Sequence, residues 1–321
     1  MKQLEITINV NGRKVKLEYV PCNLCGSNNT KEVFRARDER FDTCDYEFSI
    51  VECKSCGLAY VNPRPNFESI QAFYPPRFFE HRDDSERARS KYKEELRRVS
   101  RTSGRLLDVG CANGGFVRYA QNHGFNAEGL ETAEYAQNPY NLRIHCTFDN
   151  LPDATFDVVT AWAVFEHLHD PMRYFREIER ILKRGGKFLF LVPNFDSYRS
   201  KAMMYEDIPR HLYFYTPRTV RQYLSKVDLE LEYIEQDNSI YYGGHRKFLV
   251  YLGLRLIGRQ FTRRHQENLW YAFHQGRIPL WELIYLTPFE HFDRLIHRKV
   301  TKWFAQRGMN GTMVVHARKL T

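Results

Sequence analysis

The chain has 321 residues, 43% of them hydrophobic, and carries 48 lysines and arginines against 39 aspartates and glutamates. This length accommodates one full catalytic core with appended modules, and the apolar fraction allows a sizeable buried core. No run of about twenty uncharged apolar residues occurs, and the first residues lack the apolar stretch of a signal peptide. The sequence therefore predicts a cytoplasmic protein without a transmembrane helix.

Residues 1–75 predict a β-rich zinc-ribbon module. Residues 1–20 alternate apolar and polar side chains around Asn11-Gly12, a dipeptide that favours a hairpin turn. Four thiolates from two tight turns suit a closed tetrahedral Zn²⁺ site, so we predict a structural zinc ion. Disulfides are a less favoured alternative, because the cell interior keeps thiols reduced. A redox dithiol is less favoured still, because the chain has two matching C-x-x-C pairs rather than one. The predicted ligands belong to two C-x-x-C-G knuckles and are Cys22, Cys25, Cys53 and Cys56.

Residues 76–103 carry charges of both signs and predict a solvated connecting helix, after which a core spans residues 104–238. The most informative stretch of that core is RLLDVGCANGGF, Arg105–Phe116. It predicts a buried strand that ends near Asp108 and passes through a loop of small residues into a helix. Backbone N–H groups of such a loop can approach a ligand closely, at the positive end of the helix.

Glu131 strengthens this interpretation, because it closes the next predicted strand, where its carboxylate can accept hydrogen bonds from ribose hydroxyls. The features together predict a site for an adenosyl-type ligand at the carboxyl edge of a parallel sheet. An ordinary glycine-rich turn is the alternative. The loop differs from a dinucleotide fingerprint, since Gly110 and Gly114 lie four residues apart with Ala112 between them.

Further blocks continue the alternation of strands and helices. The helix at residues 176–184 is amphipathic and is predicted to end at Gly185-Gly186, and a later helix is predicted to begin at Thr216-Pro217. The predicted strands are Phe156–Ala163, Lys187–Val192, Leu229–Glu235 and Gly311–Lys319.

Three motifs, DVGCANGG, TFDVVTAWAVFEHLHDP and REIERILKRGGKFLFLVPN, resemble class I S-adenosylmethionine-dependent methyltransferases. They follow the order of that family, and GTMVVHARK resembles its antiparallel final strand. The resemblance implies an α/β fold with a Rossmann-like, mostly parallel seven-stranded sheet whose last strand is antiparallel. Ala112 replaces the middle glycine of the usual D-x-G-x-G-x-G, a departure that leaves the backbone uncrowded.

The resemblance also implies S-adenosylmethionine as the cofactor and assigns its contacts. Glu131 would bind the ribose. The other implied contacts are Asp108, Gly110, Cys111, Ala112 and Gly114 for the methionine part, and Phe148 and Asp149 for the adenine.

Two places in the chain offer a catalytic base. Methyl transfer is an in-line displacement, so the protein must position the acceptor and remove its proton. Family resemblance places Glu166-His167 beside the transferring methyl. A purely structural role, in which the two residues stabilise their turn, explains them equally well. His211, in DIPRHLYFYTP, is the second candidate, and we favour it slightly over His167. Relatives that methylate polyprenyl phenols bind a divalent metal through Glu-x-x-Glu-His, but Ala163 occupies the first of those positions here.

Residues 239–310 predict a basic, aromatic helical insertion before the final strand at 311–321. From Ser239 to Thr321 the chain has 14 lysines and arginines against 4 acidic residues, and the remainder has 34 against 35. The insertion is interpreted first as a cover over the active site. Contact with an anionic membrane surface is the second interpretation, and nucleic-acid binding is the least favoured.

The sequence as a whole predicts methyl transfer to a small-molecule or glycan acceptor, namely a sugar or a nucleotide-linked or lipid-linked saccharide. O- or C-methylation with a histidine base fits best, and the layout resembles bacterial enzymes of polysaccharide biosynthesis. The alternative is an RNA methyltransferase that uses the zinc ribbon and the basic segment, and a non-catalytic scaffold is a third reading. A cytoplasmic location, with peripheral contact at the inner membrane face, accompanies these predictions.

Overall fold

The computed structural model describes most of the chain, namely residues 6–75, 85–133, 138–197, 200, 207–236, 240, 247–259, 265 and 268–321. Its N-terminal part is built from short antiparallel strands: β1 (Ile6–Val10), β2 (Arg13–Glu18), β3 (Thr30–Ala36), β4 (Phe48–Cys53), β5 (Ala59–Val61) and β6 (Arg64–Pro65). The predicted hairpin is confirmed, because β1 and β2 pair across Asn11 and Gly12, whose φ angles are +48° and +80°.

A larger sheet follows along the chain. Its strands are β7 (Gly104–Val109), β8 (Phe125–Leu130), β9 (Ile144–His145), β10 (Phe156–Trp162), β11 (Leu182–Pro193), β13 (Leu229–Glu235) and β14 (Thr312–Lys319), while β12 (Tyr213–Phe214) lies outside it. The order is β13-β14-β11-β10-β7-β8-β9, and β14 runs antiparallel to both of its neighbours. The predicted seven-stranded, mostly parallel sheet is confirmed. The chain reverses direction across the sheet between β7 and β10, which is where open α/β sheets bind ligands.

Helices cover the sheet and form the insertion. They are α1 (Glu86–Arg98), α2 (Gly115–Gln121), α3 (Pro171–Ile181), α4 (Pro217–Leu224), α5 (Phe248–Leu256), α6 (Leu269–His274) and α7 (Leu280–Ala305). Thr216 caps α4 through its side chain, with Pro217 at the first helical position, as predicted.

The predicted end of α3 is wrong. The helix stops at Ile181, because Leu182 is already extended and pairs with Phe156 at the start of β10. Gly185 and Gly186 lie inside β11, where a Cβ on Gly186 would come within 2.7 Å of the Lys183 carbonyl oxygen. The two glycines therefore serve a tight bend within the strand.

Helix α1 is less solvated than its charges suggest. Tyr92, Glu95 and Arg98 are buried, and Tyr92 belongs to the same apolar cluster as Phe116 on α2. Arg98 also donates two hydrogen bonds to Glu235 on β13, at 2.9 and 3.0 Å. The helix thus packs against the core along one face.

The loop before β12 joins the N-terminal strands to the large sheet. Strand β12 pairs with β5, so one strand from the second half of the chain completes the N-terminal four-stranded sheet. The fully buried Arg210 donates to both oxygens of Asp38, at 2.6 and 3.0 Å, and to Asp207 at 2.9 Å. It also donates to the Phe73 carbonyl oxygen at 2.8 Å. This ion network fixes the loop at residues 207–212.

The described part of the insertion is helical, as predicted, and has a small apolar core. Asp293 of α7 accepts hydrogen bonds from the Leu249 and Val250 N–H groups at the start of α5, at 2.8 and 3.0 Å. Within the described residues, no helix combines the length and apolar character needed to cross a bilayer. The core is formed by Val250, Leu254, Leu269, Ala272, Ile278, Leu283 and Leu286.

Candidate active site and candidate metal centre

The four knuckle cysteines meet in one cluster. Cys22 Sγ lies 3.4 Å from Cys56 Sγ, and Cys25 Sγ lies 3.5 Å from Cys53 Sγ. These separations are far longer than a disulfide bond and close to the ~3.8 Å edge of a tetrahedron with Zn–S bonds of about 2.3 Å. Four thiols in this arrangement fit Zn²⁺ and leave no coordination position open, so the cluster is compatible with a structural zinc ion.

The glycine after each knuckle shapes the backbone around the sulfurs. Gly26 and Gly57 have φ angles of +75° and +84°, a region that favours glycine, and each donates its N–H to the carbonyl of the first cysteine of its knuckle, at 2.7 and 2.8 Å. Although burial opposes the shift, the N–H groups of Cys56 and Ser55 lower the pKa of the Cys53 thiol to about 7. Burial raises the pKa of the Cys22 thiol and raises that of Cys56 to about 11, so these backbone donors favour the thiolate at Cys53 only.

The glycine-rich loop between β7 and α2 forms the predicted cofactor edge. Gly110 donates its N–H to the Leu130 carbonyl oxygen at 2.7 Å, which pins the loop to the end of β8. A Cβ on Gly110 would lie 2.5 Å from Val164, and one on Gly114 would lie 2.5 Å from Leu142. Both glycines also have positive φ. The loop therefore needs glycine at both positions, for space and for conformation.

Glu131 lies directly beside this loop. Its carboxylate accepts hydrogen bonds from the Ala112 N–H at 3.0 Å and from the Ala133 N–H at 2.9 Å. Ala112 adopts a φ of +48°, so the middle position of the motif is left-handed even though it is alanine. A carboxylate can accept about four hydrogen bonds, which leaves Glu131 capacity for ribose hydroxyls.

Asp108 is buried at the end of β7 and accepts a hydrogen bond from Thr160 Oγ1 at 2.7 Å. Burial raises the pKa of Asp108 well above its usual range, and the charges of Glu95 and Glu131 act in the same direction. Burial likewise raises the pKa of the Cys111 thiol, with Asp108 and Glu131 contributing. The loop is therefore surrounded by an excess of acidic groups.

The predicted adenine contacts lie in different environments. Phe148 is buried, with its ring edge-to-face to Tyr174 at 5.2 Å between centroids, whereas Asp149 is exposed and lies 3.8 Å from Arg173. Burial raises the pKa of Tyr174, and the charge of Glu131 acts on it in the same direction. Phe148 and Tyr174 thus link the loop after β9 to the ribose side of the site, while Asp149 faces solvent.

The three predicted catalytic residues come together at the end of β10. Glu166 and His167 lie in a short turn, Phe165–His167, and the His167 and His211 rings meet edge to face at 4.8 Å between centroids. Ligand atoms of Glu166, His167 and His211 all lie within 4.8 Å of one another. The Leu212 N–H donates to the Glu166 carbonyl oxygen at 2.6 Å and so joins the two segments.

The surroundings of the two histidines differ. His167 Nδ1 lies 3.0 Å from the Arg210 carbonyl oxygen, which can only accept, so Nδ1 carries the proton and Nε2 keeps its lone pair. Burial, with the charge of His211, lowers the pKa of His167 to about 3. Although burial opposes it, Arg210 and His211 hold the pKa of Asp207 below its usual range. Asp207 is thus an ionised carboxylate, held in the same loop as His211.

Four residues of the site were not found from the sequence. Thr160 is a polar side chain within a buried strand, which is a usable signal. Asp207 lies in the segment discussed for His211, and Tyr174 lies between two of the motifs. The sequence gives no sign that Glu95 is buried, because its helix has charges around its whole circumference and nothing local distinguishes one glutamate from another.

A protein-family model described as a methyltransferase domain matches residues 79–234, a range that includes the glycine loop, the Glu166-His167 turn and His211. The chain carries a class I S-adenosylmethionine-dependent methyltransferase domain. This domain places the acid-rich loop and the histidine pair at the carboxyl ends of β7 and β10, respectively.

Curated relatives match the methyltransferase domain over part of their length. A ubiquinone biosynthesis O-methyltransferase of Coxiella burnetii is 28% identical over 118 residues, which are 33% of this chain and 50% of that protein. A sarcosine/dimethylglycine N-methyltransferase of Halorhodospira halochloris is 28% identical over 135 residues, or 35% and 48% of the two chains. The chain spans about half the length of the curated relatives it matches.

Some solved structures resemble the chain at low identity. The [4+2]-cyclase SpnF is 18% identical, with 75% of this chain and 86% of that chain covered and a TM-score of 0.45. A geranyl diphosphate C-methyltransferase from Streptomyces coelicolor A3(2) is 13% identical, with 72% and 80% covered and a TM-score of 0.43. At TM-scores below 0.5 these superpositions identify no function for this chain.

Replacement of Cys25 by serine tests the metal centre. We expect the wild-type chain to hold one zinc ion and Cys25→Ser to bind it at least about tenfold more weakly, with a lower thermal unfolding midpoint, because a closed site loses one of its thiolates. Metal analysis and thermal unfolding measure both effects. Cys146→Ser, which changes an exposed cysteine outside the cluster, is the control. Equal zinc content in both variants would contradict the assignment.

Proposed function

We propose that this chain transfers the methyl group of S-adenosylmethionine to an oxygen or carbon atom of a saccharide acceptor. The observation that carries the proposal is the glycine loop with Glu131 beside it, whose carboxylate accepts a hydrogen bond from the Ala112 N–H at 3.0 Å. S-adenosylmethionine carries a sulfonium and an ammonium group, and a carboxylate beside the loop attracts both. A dinucleotide would bring a pyrophosphate to the same loop and would be repelled.

The same charge favours turnover. When the acceptor attacks the methyl carbon, the carbon–sulfur bond breaks and its electron pair stays on sulfur, giving neutral S-adenosylhomocysteine. The ligand thereby loses one positive charge, so the acidic loop holds the product less tightly than the substrate. The family match and the O- and N-methyltransferases among the relatives support methyl transfer, and they leave the acceptor atom open.

His211 is the base in this proposal. Its ring lies beside His167 at the end of β10, and the ionised Asp207 stabilises the imidazolium that forms when His211 takes the acceptor proton. The neutral His167 has a lone pair on Nε2 and forms the adjoining wall. Arg210 holds both segments by accepting from His167 through its carbonyl and by binding Asp207 through its guanidinium.

The exposed apolar face of helix α7 favours a lipid-linked saccharide over a nucleotide-linked one as the acceptor. Its large apolar side chains at Trp281, Ile284, Phe292 and Leu295 recur every three to eight residues on one face and are between 46% and 67% exposed. The helix is about 39 Å long at 1.5 Å per residue. Such a face suits the interface of a bilayer.

The charges of α7 point to an anionic surface. Its C-terminal half carries Arg294, Arg298, Lys299 and Lys302, all exposed, and the chain from Ser239 onward holds the whole net positive charge. Cationic side chains beside exposed tryptophan are typical of helices that lie on anionic bilayers. In this proposal α7 rests on the membrane and presents the active site to an acceptor anchored there.

Calorimetry tests the cofactor. We expect S-adenosylhomocysteine to bind the wild-type chain and NAD not to bind, because only the former lacks a pyrophosphate. Glu131→Ala should weaken S-adenosylhomocysteine binding at least about tenfold, since hydrogen bonds to a charged group contribute about 1.5–3 kcal/mol. Glu230→Gln, an exposed change on β13, is the control and should bind normally. If S-adenosylhomocysteine does not bind to the wild-type chain, the proposal is wrong.

His211→Gln tests the base. With radiolabelled S-adenosylmethionine and bacterial lipid-linked saccharide fractions, we expect its kcat to fall about 10²-fold or more at unchanged cofactor affinity, because proton removal is lost. His169→Gln, two residues after His167, is the control. A dependence of the rate on added Mg²⁺ or Mn²⁺ would assign a metal to Glu166, His167 and His211 instead. Label that enters only RNA would overturn the acceptor class.

Flotation with vesicles tests the surface on α7. We expect the chain to float with vesicles rich in phosphatidylglycerol and to stay behind with pure phosphatidylcholine. Replacement of Ile284 and Leu295 by serine should remove at least half of the floated protein, because their apolar area no longer enters the bilayer. Val33→Ser, an exposed apolar change on β3, is the control. Equal recovery with both kinds of vesicle would contradict the proposed binding of α7 to an anionic membrane.

A further inference from the structure

The N-terminal module, residues 6–75, reaches the active site through the turn that follows β10. This segment, residues 165–170, is named the β10 turn and includes Glu166 and His167. Its last residue, Asp170, is the N-cap of α3. Three separate segments of the module form hydrogen bonds to the β10 turn. The position of the turn therefore depends on the module as well as on the large sheet.

Asn23, inside the first cysteine knuckle, makes the most extensive of these contacts. Its amide nitrogen donates to Asp170 Oδ1 at 2.9 Å, and its amide oxygen accepts from the Met172 N–H at 3.1 Å. The same oxygen accepts from the Tyr223 hydroxyl on α4 at 3.0 Å. Asn23 thus uses both ends of its amide at the start of α3, where backbone N–H groups have no partners inside the helix.

The backbone of Asn23 is fixed by its neighbours in the cysteine cluster. Asn23 lies between Cys22 and Cys25, whose Sγ atoms contact those of Cys56 and Cys53, respectively. A zinc ion bound by the four thiolates would hold this knuckle rigidly, because a closed tetrahedral site fixes all of its ligands. The cluster therefore anchors one end of the Asn23 contact, and α3 anchors the other.

Two further contacts come from the end of the module. Tyr74 Oη lies 3.2 Å from His167 Nδ1, and it accepts the proton of this nitrogen together with the Arg210 carbonyl oxygen. Arg64 donates to the His169 carbonyl oxygen at 2.9 Å. These contacts hold the His167 ring through Nδ1 and leave the lone pair on Nε2.

We propose that the N-terminal module positions the β10 turn for methyl transfer, with Asn23 and Tyr74 as the positioning residues. The inference rests on the proposed function, because His167 forms the wall beside His211 in that reaction. Both residues act through the turn, and neither is assigned a contact with the cofactor or the acceptor.

A displaced β10 turn would affect the chemical step more than cofactor binding. The Glu166 carbonyl oxygen accepts from the Leu212 N–H at 2.6 Å, so movement of the turn is passed to the segment that carries His211. A misplacement of about 1 Å can lower a rate about 10²-fold. Glu131 and the glycine loop make their contacts at β7 and β8 instead. Loss of the module's contacts should therefore lower kcat and preserve cofactor affinity.

Asn23→Ala and Tyr74→Phe, each in the full chain, test the proposal at two separate contacts. With labelled S-adenosylmethionine and bacterial lipid-linked saccharide fractions, we expect kcat to fall at least about tenfold in each variant. The KM for the saccharide fraction and the affinity for S-adenosylhomocysteine should stay within about twofold of the wild type. Asn28→Ala, an exposed change five residues after Asn23, is the matched control.

An exchange of the asparagine–aspartate pair separates positioning from a loss of stability. Asn23→Asp places two carboxylates across the 2.9 Å contact, and we expect it to lower kcat as Asn23→Ala does. The double change of Asn23→Asp with Asp170→Asn again places a donor opposite a carboxylate, so kcat should return to within about threefold of the wild type. If the double variant is as slow as Asn23→Asp, the contact does not position the turn.

Side-chain NMR of His167 gives a readout that needs no turnover. In isotope-labelled protein, we expect the imidazole signals of His167, assigned with His167→Gln, to shift in Asn23→Ala and in Tyr74→Phe. The signals should stay unchanged in Asn28→Ala. Unchanged signals in the first two variants would contradict the positioning role directly.

The other outcomes overturn the inference in distinguishable ways. A higher KM for the saccharide fraction at unchanged kcat would assign the module to acceptor binding. Weaker binding of S-adenosylhomocysteine in both variants would mean that they disturb the whole methyltransferase domain. If the wild-type chain transfers no methyl group while the His167 signals shift as expected, the proposed function is wrong and the module still positions the turn.

Discussion

The buried guanidinium of Arg210 is the contact on which the catalytic half of the site depends. It joins Asp38 of the N-terminal strands to Asp207 before β12, and it donates to the Phe73 carbonyl. Loss of one partner of a buried ion pair costs about 3–5 kcal/mol, because the other charge stays buried. The network therefore holds His211 against the turn that follows β10. The cysteine cluster supports the same arrangement, since Cys53 ends β4 and β5 pairs with β12.

Strand β10 connects the two halves of the site. Thr160, near its end, donates to Asp108 on the cofactor side, and four residues after the strand Glu166 begins the contacts to the histidine side. A methyl group in transfer would have to lie between these two regions, at the carboxyl edge of the sheet. In the proposed reaction, the cofactor side would hold a cationic methyl donor and the histidine side would accept the proton of the acceptor.

Several elements could be predicted because their signals are local. The glycines at 110 and 114 are required by positive φ and by close neighbours, and Thr216-Pro217 starts α4 through a side-chain cap. The failures have a common cause. The end of α3 is set by the pairing of Leu182 with Phe156 on another strand, which overrides the nearby glycines. The burial of Glu95 depends on packing of α1 against α2, and a helix with charges on every face contains no sign of it.

Local sequence signals were enough to predict the strands of the parallel sheet, the glycine loop with its acidic neighbour, and the two cysteine knuckles, because each signal lies within a few consecutive residues. The contact of His211 with His167, and the cation that Asp38 shares with Asp207, depend on the tertiary structure. The members of each of these sets come from separate elements, so their meeting depends on how strands and helices pack. Residue order and local propensity carry no direct record of that packing.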